Sequence, residues 1–326
     1  MTDAGGRGRR RAPPTPAATV VERLAVLLAA GVAPASAWLH VGDGEPEGPV
    51  RAVTTHVGRS ATLGVPVSVS LRQALSHDPF SATTDGRRHA TEWHQVACAW
   101  HVAERSGAPL ADCLVTFVAA LREADAARRE VEVALSGPRS TGRIVLALPP
   151  VGLLFSLGLG FDTAAVLFGS PVGWGCLVVG VGLVAAARAW NARLVRSAVP
   201  GASVPGLRLE LLAVAVSGGG SWQAGLELVD EACRAHLEDA GADDVHDDDG
   251  RSVLDLSRRA GAPAGALLRA AAAERRLEAT TAARSAAARL GSTLMLPLGV
   301  CVLPAFLVVG VVPLVVSLVS STAVAL

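Results

Sequence analysis

Hydrophobic positions along the chain follow two kinds of pattern. Over residues 19–140 and 207–290, apolar residues recur every three or four positions among charged ones, which predicts amphipathic α-helices. Over residues 144–161, 172–190 and 294–319, apolar residues are nearly continuous for lengths that can cross a bilayer. The period-two alternation of β-strands is not evident in the polar stretches. The pattern predicts an all-α integral membrane protein with two helical-bundle domains and three transmembrane helices.

Helix boundaries within the domains follow from the same periodicity and from Gly and Pro positions. Residues 1–18 are basic and proline-rich, and we expect them to be disordered. We expect loops at Gly42–Pro49 and Asp78–Arg88. The expected helices are Thr19–Ala30, Ala35–His40, Val67–Ser76, Thr91–Glu104 and Pro109–Ser136 in the first domain, and Leu207–Val216, Trp222–Glu238, Val253–Arg259 and Ala264–Leu290 in the second.

An internal repeat links the two domains. The segment ERSGAPLADCL at Glu104–Leu114 returns as RRAGAPAGALL at Arg258–Leu268. Each copy opens a long Ala- and Arg-rich stretch, and each stretch runs on into apolar sequence. A weaker echo relates residues 27–38 to residues 214–226. The repeat predicts that the second domain is a reduced copy of the first.

Arginines near the ends of the three apolar segments predict the topology. The turn between the first two segments and the tail after the third carry none, so these should lie outside the cytoplasm. The first two segments then form a hairpin, both helical domains and the N-terminus are cytoplasmic, and the C-terminus is outside. The arginines that decide this are Arg139, Arg143, Arg188, Arg193, Arg196, Arg284 and Arg289.

Composition supports a lipid environment and restricts the chemistry. Hydrophobic residues make up 51% of the 326-residue chain, the mean hydropathy is +0.42 and the formal net charge is zero. That balance offers no general attraction to nucleic acid. The chain has no lysine, so it cannot supply the lysine of a Walker A phosphate loop. Its five cysteines are scattered, which favours buried structural thiols over a disulfide framework.

No catalytic, cofactor or metal site is expected from the motifs. The densest group of possible ligands is His89, His94 and His101 with Glu104. His94 and His101 would lie about 10 Å apart along a helix, too far for one metal without a ligand between them. The acidic stretch 239–249 lacks the carboxylate that an EF-hand register requires, which favours a solvated loop.

Several of these segments resemble the type II secretion system F family, and most closely its tight-adherence (Tad/Flp) pilus branch. LAVLLAAGVAPASAW, RSGAPLADCL and ALSGPRSTGRIVLALP are similar to TadB, and LELLAVAVSGGGSWQAGLEL and GSTLMLPLGVCVLPAFLVVGVVPLVVSL are similar to TadC. The resemblance extends from about Val21 to Ser320, as if both proteins were joined in one chain. In the family pattern of Glu, Gly and Leu around the turn, Glu104, Gly107 and Leu110 fit, whereas Arg258 and Ala264 depart from it.

The resemblance implies a non-catalytic inner-membrane platform surrounded by lipid. It would act as a homo-oligomer and pass motion from a cytoplasmic hexameric secretion ATPase to prepilin or pilin subunits, without contacting nucleic acid. Since the repeated turn is the most distinctive polar feature, we expect the partner contact there. The residues are Glu104, Arg105, Gly107, Leu110, Arg258, Arg259 and Gly261.

Two other classes of function remain open from the sequence. Duplicated halves are also typical of small membrane transporters, although the three apolar segments lack the midplane charges that such proteins use. A membrane-tethered enzyme would need a constellation of reactive side chains that neither polar domain shows.

Overall fold

A computed structural model describes residues 15–81, 85–134, 147, 151, 171–198, 201, 203–237, 247–293, 295–312 and 315. These residues form helices and connections and contain no strand, as the sequence predicted. In chain order the helices are α1 Ala17–Ala29, α2 Pro34–Gly44, α3 Pro49–Thr62, α4 Val67–Leu75, α5 Gly86–Ser106, α6 Leu110–Ala134, α7 Pro171–Ala198, α8 Leu207–Ser217, α9 Trp222–Leu237, α10 Asp247–Ala260 and α11 Ala264–Thr293.

Three of the sequence expectations are corrected. Helix α3 occupies a stretch for which no helix was predicted. Helix α5 begins at Gly86, inside the expected loop Asp78–Arg88. Helix α10 begins at Asp247, six residues ahead of the expected start at Val253. In the last two cases residues that are typical of loops form the first turn of a helix, and a glycine of that turn is buried in each, Gly86 in α5 and Gly250 in α10.

The chain divides into two compact units, and the first contains Met1–Asp125 and Gly201–Ala279. Its central element is α5, which packs against α1, α4, α8 and α9. The buried residues of this unit form one hydrophobic cluster drawn from both polar regions of the sequence. The division of these regions into two duplicated domains stays a prediction, but their side chains share a single core.

Aromatic side chains fill the centre of that core. The rings of Trp38 and Trp100 lie 5.4 Å apart, those of Trp38 and Trp93 lie 6.2 Å apart, and Phe80 stacks on Trp93 at 6.3 Å. All four side chains are fully buried. Tilted and offset rings at these spacings add about 0.5–1.5 kcal/mol per pair beyond the burial of their surface.

Arginine also helps to hold the first unit together. The half-buried Arg276 of α11 pairs with Glu123 of α6 at 2.9 Å and with Glu210 of α8 at 3.4 Å. The Glu210 side chain is only 4% exposed. A buried carboxylate needs a partner to offset its lost hydration, and one guanidinium can serve two carboxylates because it carries several donors in a fixed plane.

The second unit contains Ala126–Pro200 and Thr280–Leu326. Val131 of α6 packs against Ala287 and Leu290 of α11, and Arg284 donates to Glu130 at 2.6 Å. Helix α7 packs against the C-terminal apolar segment 295–312 at Gly180. A Cβ atom added there would lie 2.1 Å from Cγ2 of Val309, so only glycine allows this approach.

One described helical stretch, Gly173–Val195 of α7, is long and apolar enough to cross a membrane, and it coincides with the second predicted span. Only 17% of its most apolar window is buried, unlike the core helix of a soluble protein. The segment 295–312 is helical with two π-helical stretches, Leu298–Val302 and Leu307–Val311. Its apolar part, Gly299–Val311, is shorter than a span. Apart from residues 147 and 151, the first predicted span lies outside the described residues.

Candidate functional site: the repeated turns

The two copies of the Gly-Ala-Pro motif form turns with the same backbone conformation. Gly107 follows α5 with φ +71°, and Gly261 follows α10 with φ +64°. A residue in this left-handed region is the usual C-terminal cap of a helix, and glycine adopts it without a steric penalty. The proline then precedes the next helix, so α6 begins at Leu110 and α11 begins at Ala264. The repeat therefore encodes two helix–turn–helix corners in which a left-handed glycine ends the first helix.

The first turn is largely exposed but is contacted by several other parts of the unit. Arg105 donates to Glu231 of α9 at 3.3 Å, and Glu104 accepts a hydrogen bond from Ser68 of α4 at 2.9 Å. The backbone of Gly218, which follows α8, lies directly against the carbonyl oxygen of Ser106. A Cβ atom on Gly218 would be 2.0 Å from that oxygen. Three helices besides α5 thus hold the first turn in place.

The second turn is held by local contacts. The Ser257 hydroxyl donates to the carbonyl oxygen of Ala262 at 2.6 Å, and the Ala262 amide donates back to the Ser257 carbonyl at 3.2 Å. The guanidinium of Arg258 lies 4.4 Å from the ring centroid of Trp222, the first residue of α9. Arg259 is exposed.

Both turns lie beside the same connection, the segment 218–221 between α8 and α9. Gly218 at its start contacts the first turn, and Trp222 just after its end contacts the second. Gly219, Gly220 and Ser221 are exposed between these contacts. The residues at this location, which we call the turn surface, are Glu104, Arg105, Gly107, Arg258, Arg259, Gly261 and the connection 218–221.

Leu110 is the remaining predicted contact residue, and its contact with a partner stays a prediction. It is half-buried and packs against the hydrophobic core of the first unit. Its side chain anchors the start of α6 beneath the turn, and we leave it out of the turn surface.

A pair of histidines that the sequence analysis did not connect lies below the first turn. Nε2 of His236 on α9 lies 3.4 Å from Nδ1 of His101 on α5, and Nε2 of His101 lies 4.0 Å from Oε1 of Glu231. Burial lowers the pKa of His236 to about 4 and also lowers the pKa of His101. Two imidazoles in this setting favour the neutral form because a charge would lose hydration and face a second ring.

A pair of cysteines joins the same two helices. The sulfur atoms of Cys98 and Cys233 lie 4.0 Å apart. Both helices carry the spacing Cys-x-x-His, at 98–101 and at 233–236, and this recurrence is the signal in the sequence that could have brought the four residues together. Among the described residues, no group of three or more His, Cys, Asp or Glu side chains is arranged to hold a metal ion.

Comparison with known proteins found a family match for one part of the chain. Residues 20–158 match the model of the family described as type II secretion system (T2SS), protein F. The match covers less than half of the chain and includes the first turn, but not the second. It indicates a domain of an inner-membrane platform family of secretion and pilus-assembly systems, whose members are scaffolds rather than enzymes. Neither the curated proteins nor the solved structures contain a match to this chain.

Proposed function

We propose that the chain is the inner-membrane platform of a tight-adherence (Tad/Flp) pilus or of a related type II secretion assembly. The observation that carries the proposal is the type II secretion F domain at residues 20–158. The apolar stretch Gly173–Val195 supports an anchorage in the membrane. In this role the protein performs no chemistry, since the energy comes from a partner ATPase.

The turn surface is the proposed contact for the hexameric secretion ATPase. It presents two exposed arginines, Arg258 and Arg259, beside a connection in which Gly219 and Gly220 are exposed. The first turn connects this corner to other helices, because Arg105 contacts α9 and Ser106 contacts Gly218 after α8. A force applied there is passed to α5, the central helix of the unit.

The membrane part is proposed to guide pilin subunits and to contact lipid. Helix α7 exposes Trp174, Val178, Val181 and Trp190 along its length. Aromatic side chains near both ends of an apolar helix match the two interfaces of a bilayer. The proposed topology keeps three spans with both polar regions cytoplasmic and the C-terminus outside. Homo-oligomerisation also belongs to the proposal.

The test is co-purification from detergent-solubilised membranes. The tagged native chain is compared with Arg258→Glu/Arg259→Glu, which reverses charge on the turn surface. The matched control is Arg51→Glu/Arg59→Glu, which makes the same charge change at two exposed arginines of α3. Substitutions at Gly107 are avoided because a side chain strains a backbone with positive φ, so a loss of binding could reflect a loss of folding. Thermal unfolding checks that both variants fold.

We expect a hexameric secretion ATPase to be recovered with the native chain and the control, and to be reduced at least tenfold with the turn-surface variant. Equal recovery with all three chains would remove the ATPase contact from this surface. Failure to recover any ATPase with the native chain, even after crosslinking in cells, would overturn the platform function.

A further inference from the structure

We propose that Cys98 and Cys233 are a redox-modification site, at which a disulfide forms between α5 and α9 and locks the helix that bears the first turn. The sulfur atoms lie 4.0 Å apart although 135 positions separate the residues in the sequence. A disulfide has a sulfur–sulfur distance of about 2.05 Å. The sulfurs must therefore approach by roughly 2 Å for the bond to form.

The surroundings assign different roles to the two thiols. Cys98 is fully buried in the core, whereas Cys233 is half-buried. The hydrogen bond between the sulfurs raises the pKa of Cys98 and lowers the pKa of Cys233. The guanidinium of Arg208, which pairs with Asp230, also lowers the pKa of Cys233. Cys233 is the more accessible thiol and the better thiolate, so it is the attacking group.

The reaction requires an oxidant that carries a disulfide, either a small-molecule disulfide or a disulfide oxidoreductase. The Cys233 thiolate attacks one sulfur of the oxidant, the oxidant's S–S bond breaks, and one thiol leaves with a proton. The Cys98 sulfur then attacks the Cys233 sulfur in the mixed disulfide, loses its own proton and releases the second thiol. The two cysteines are oxidised by two electrons, and the oxidant is reduced to two thiols.

A disulfide fits this pair better than a metal does. A structural zinc site needs four ligands around one point, and the described residues contain no group of three that could hold a metal. The remaining cysteine of the first unit, Cys113 on α6, is buried, and burial raises its pKa. Cys113 is therefore a matched control, a core thiol that should not react.

The bond would act on the turn surface through the two helices that it joins. Helix α5 ends at the first turn, and α9 begins at Trp222, against which the second turn packs. Without the bond, non-covalent contacts hold α5 to α9, among them the pair between Arg105 and Glu231. With the bond, α5 is tied covalently to α9, so oxidation makes the first turn more rigid.

The experiment uses the full chain purified in detergent and treated with oxidised glutathione. Mass spectrometry then identifies the disulfide-linked peptides, and thermal unfolding is followed before and after reduction with dithiothreitol. We expect the native chain and Cys113→Ala to give a peptide linking 98 to 233 and a rise in the unfolding temperature of several degrees that reduction reverses. Cys98→Ser should instead accumulate glutathione on Cys233, and Cys233→Ser should give neither product.

Two results would overturn the proposal. One is a stable glutathione adduct on Cys233 of the native chain without the linked peptide, since this shows that Cys98 cannot resolve it. The other is the absence of any reaction at Cys233 while the thiol of Cys113 reacts. Neither result depends on the recovery of an ATPase, so the redox site and the platform function succeed or fail separately.

Discussion

The two repeated turns have one backbone conformation and two different environments. The first follows α5, which is mostly buried between Glu92 and Ala103 but exposed at Glu104 and Arg105, and it is contacted by α4, by α9 and by Gly218 after α8. The second follows α10, a strongly amphipathic helix whose last turn is exposed, and it is fixed by its own serine and by one aromatic contact. The comparison teaches that a repeated motif specifies a local corner, while the surrounding helices decide how rigid that corner is.

The largest expected effect is the loss of stability when Gly218, which packs against the first turn, is substituted. In Gly218→Ala the new Cβ would overlap the carbonyl oxygen of Ser106, a backbone atom that cannot rotate away. We expect a loss of roughly 3 kcal/mol in the free energy of unfolding. The measurement is denaturant unfolding of the full chain in detergent, with Gly220→Ala as the control because nothing lies within 4 Å of its added Cβ. Equal stability of the two variants would show that the first turn is not packed against α8.

We expect the stability of the first turn, but not that of the second, to depend on pH. The pKa of His236 is about 4 in the folded protein, against about 6.5 in an unfolded chain, so the unfolded state binds more protons between these values. The stability contribution is fully present above pH 6.5 and is lost as the pH falls towards 4, by up to about 3 kcal/mol. His101, His94, Arg72, Arg105, Glu104 and Glu231 are the other charged or titratable groups that act on this pair.

Hydrogen exchange detected by mass spectrometry separates the two turns in this experiment. We expect protection of the end of α5 to fall between pH 6.5 and 5, after correction for the intrinsic exchange rate, while protection of the end of α10 stays constant. His236→Gln should flatten the response at α5. A parallel decline at both turns would contradict a titration centred on the histidine pair.

Substitution of the turn glycines should affect both turns equally. In Gly107→Ala and Gly261→Ala the added Cβ meets no atom within 4 Å, so the whole cost comes from the left-handed backbone. That cost is about 1 kcal/mol for each turn. Gly44→Ala is the control, because its site is also open but its φ is not positive. A clearly larger loss at Gly107 would mean that the surrounding helices amplify the backbone strain.

Several helices were predictable from the sequence because glycine or proline residues stand near their ends. The termini of α1, α4, α8, α9 and α11 lie within about three residues of the predicted ones. Helix α3 was not predicted, although its buried residues Val50, Val53, Thr54 and Val57 recur at helical spacing, because they are few and stand among polar residues. Helix α3 is stabilised by contact with α2, where Leu39 occupies the position that a Cβ atom on Gly58 would take.

The candidate site was predictable only in part, because some of its contacts are local in the sequence and others are not. The turn residues could be found because the repeat is local in the sequence. The pairs Cys98–Cys233 and His101–His236 join helices 135 positions apart, and nothing in either segment alone indicates that they meet. Long-range packing of this kind is determined by the whole core of the unit, in which α5 is placed against α9.

The smallest expected effect concerns the one aromatic contact of the second turn. The guanidinium of Arg258 lies over the Trp222 ring at an exposed position, where such a contact contributes about 0.5–1 kcal/mol. Arg258→Gln should lose that amount in denaturant unfolding, and Arg259→Gln, its exposed neighbour, should change stability by less. If the two substitutions had equal effects, the ring contact would contribute nothing, and the hydrogen bonds of Ser257 and Ala262 alone would hold the second turn. The first turn would then be stabilised by other helices, and the second turn only by contacts within itself.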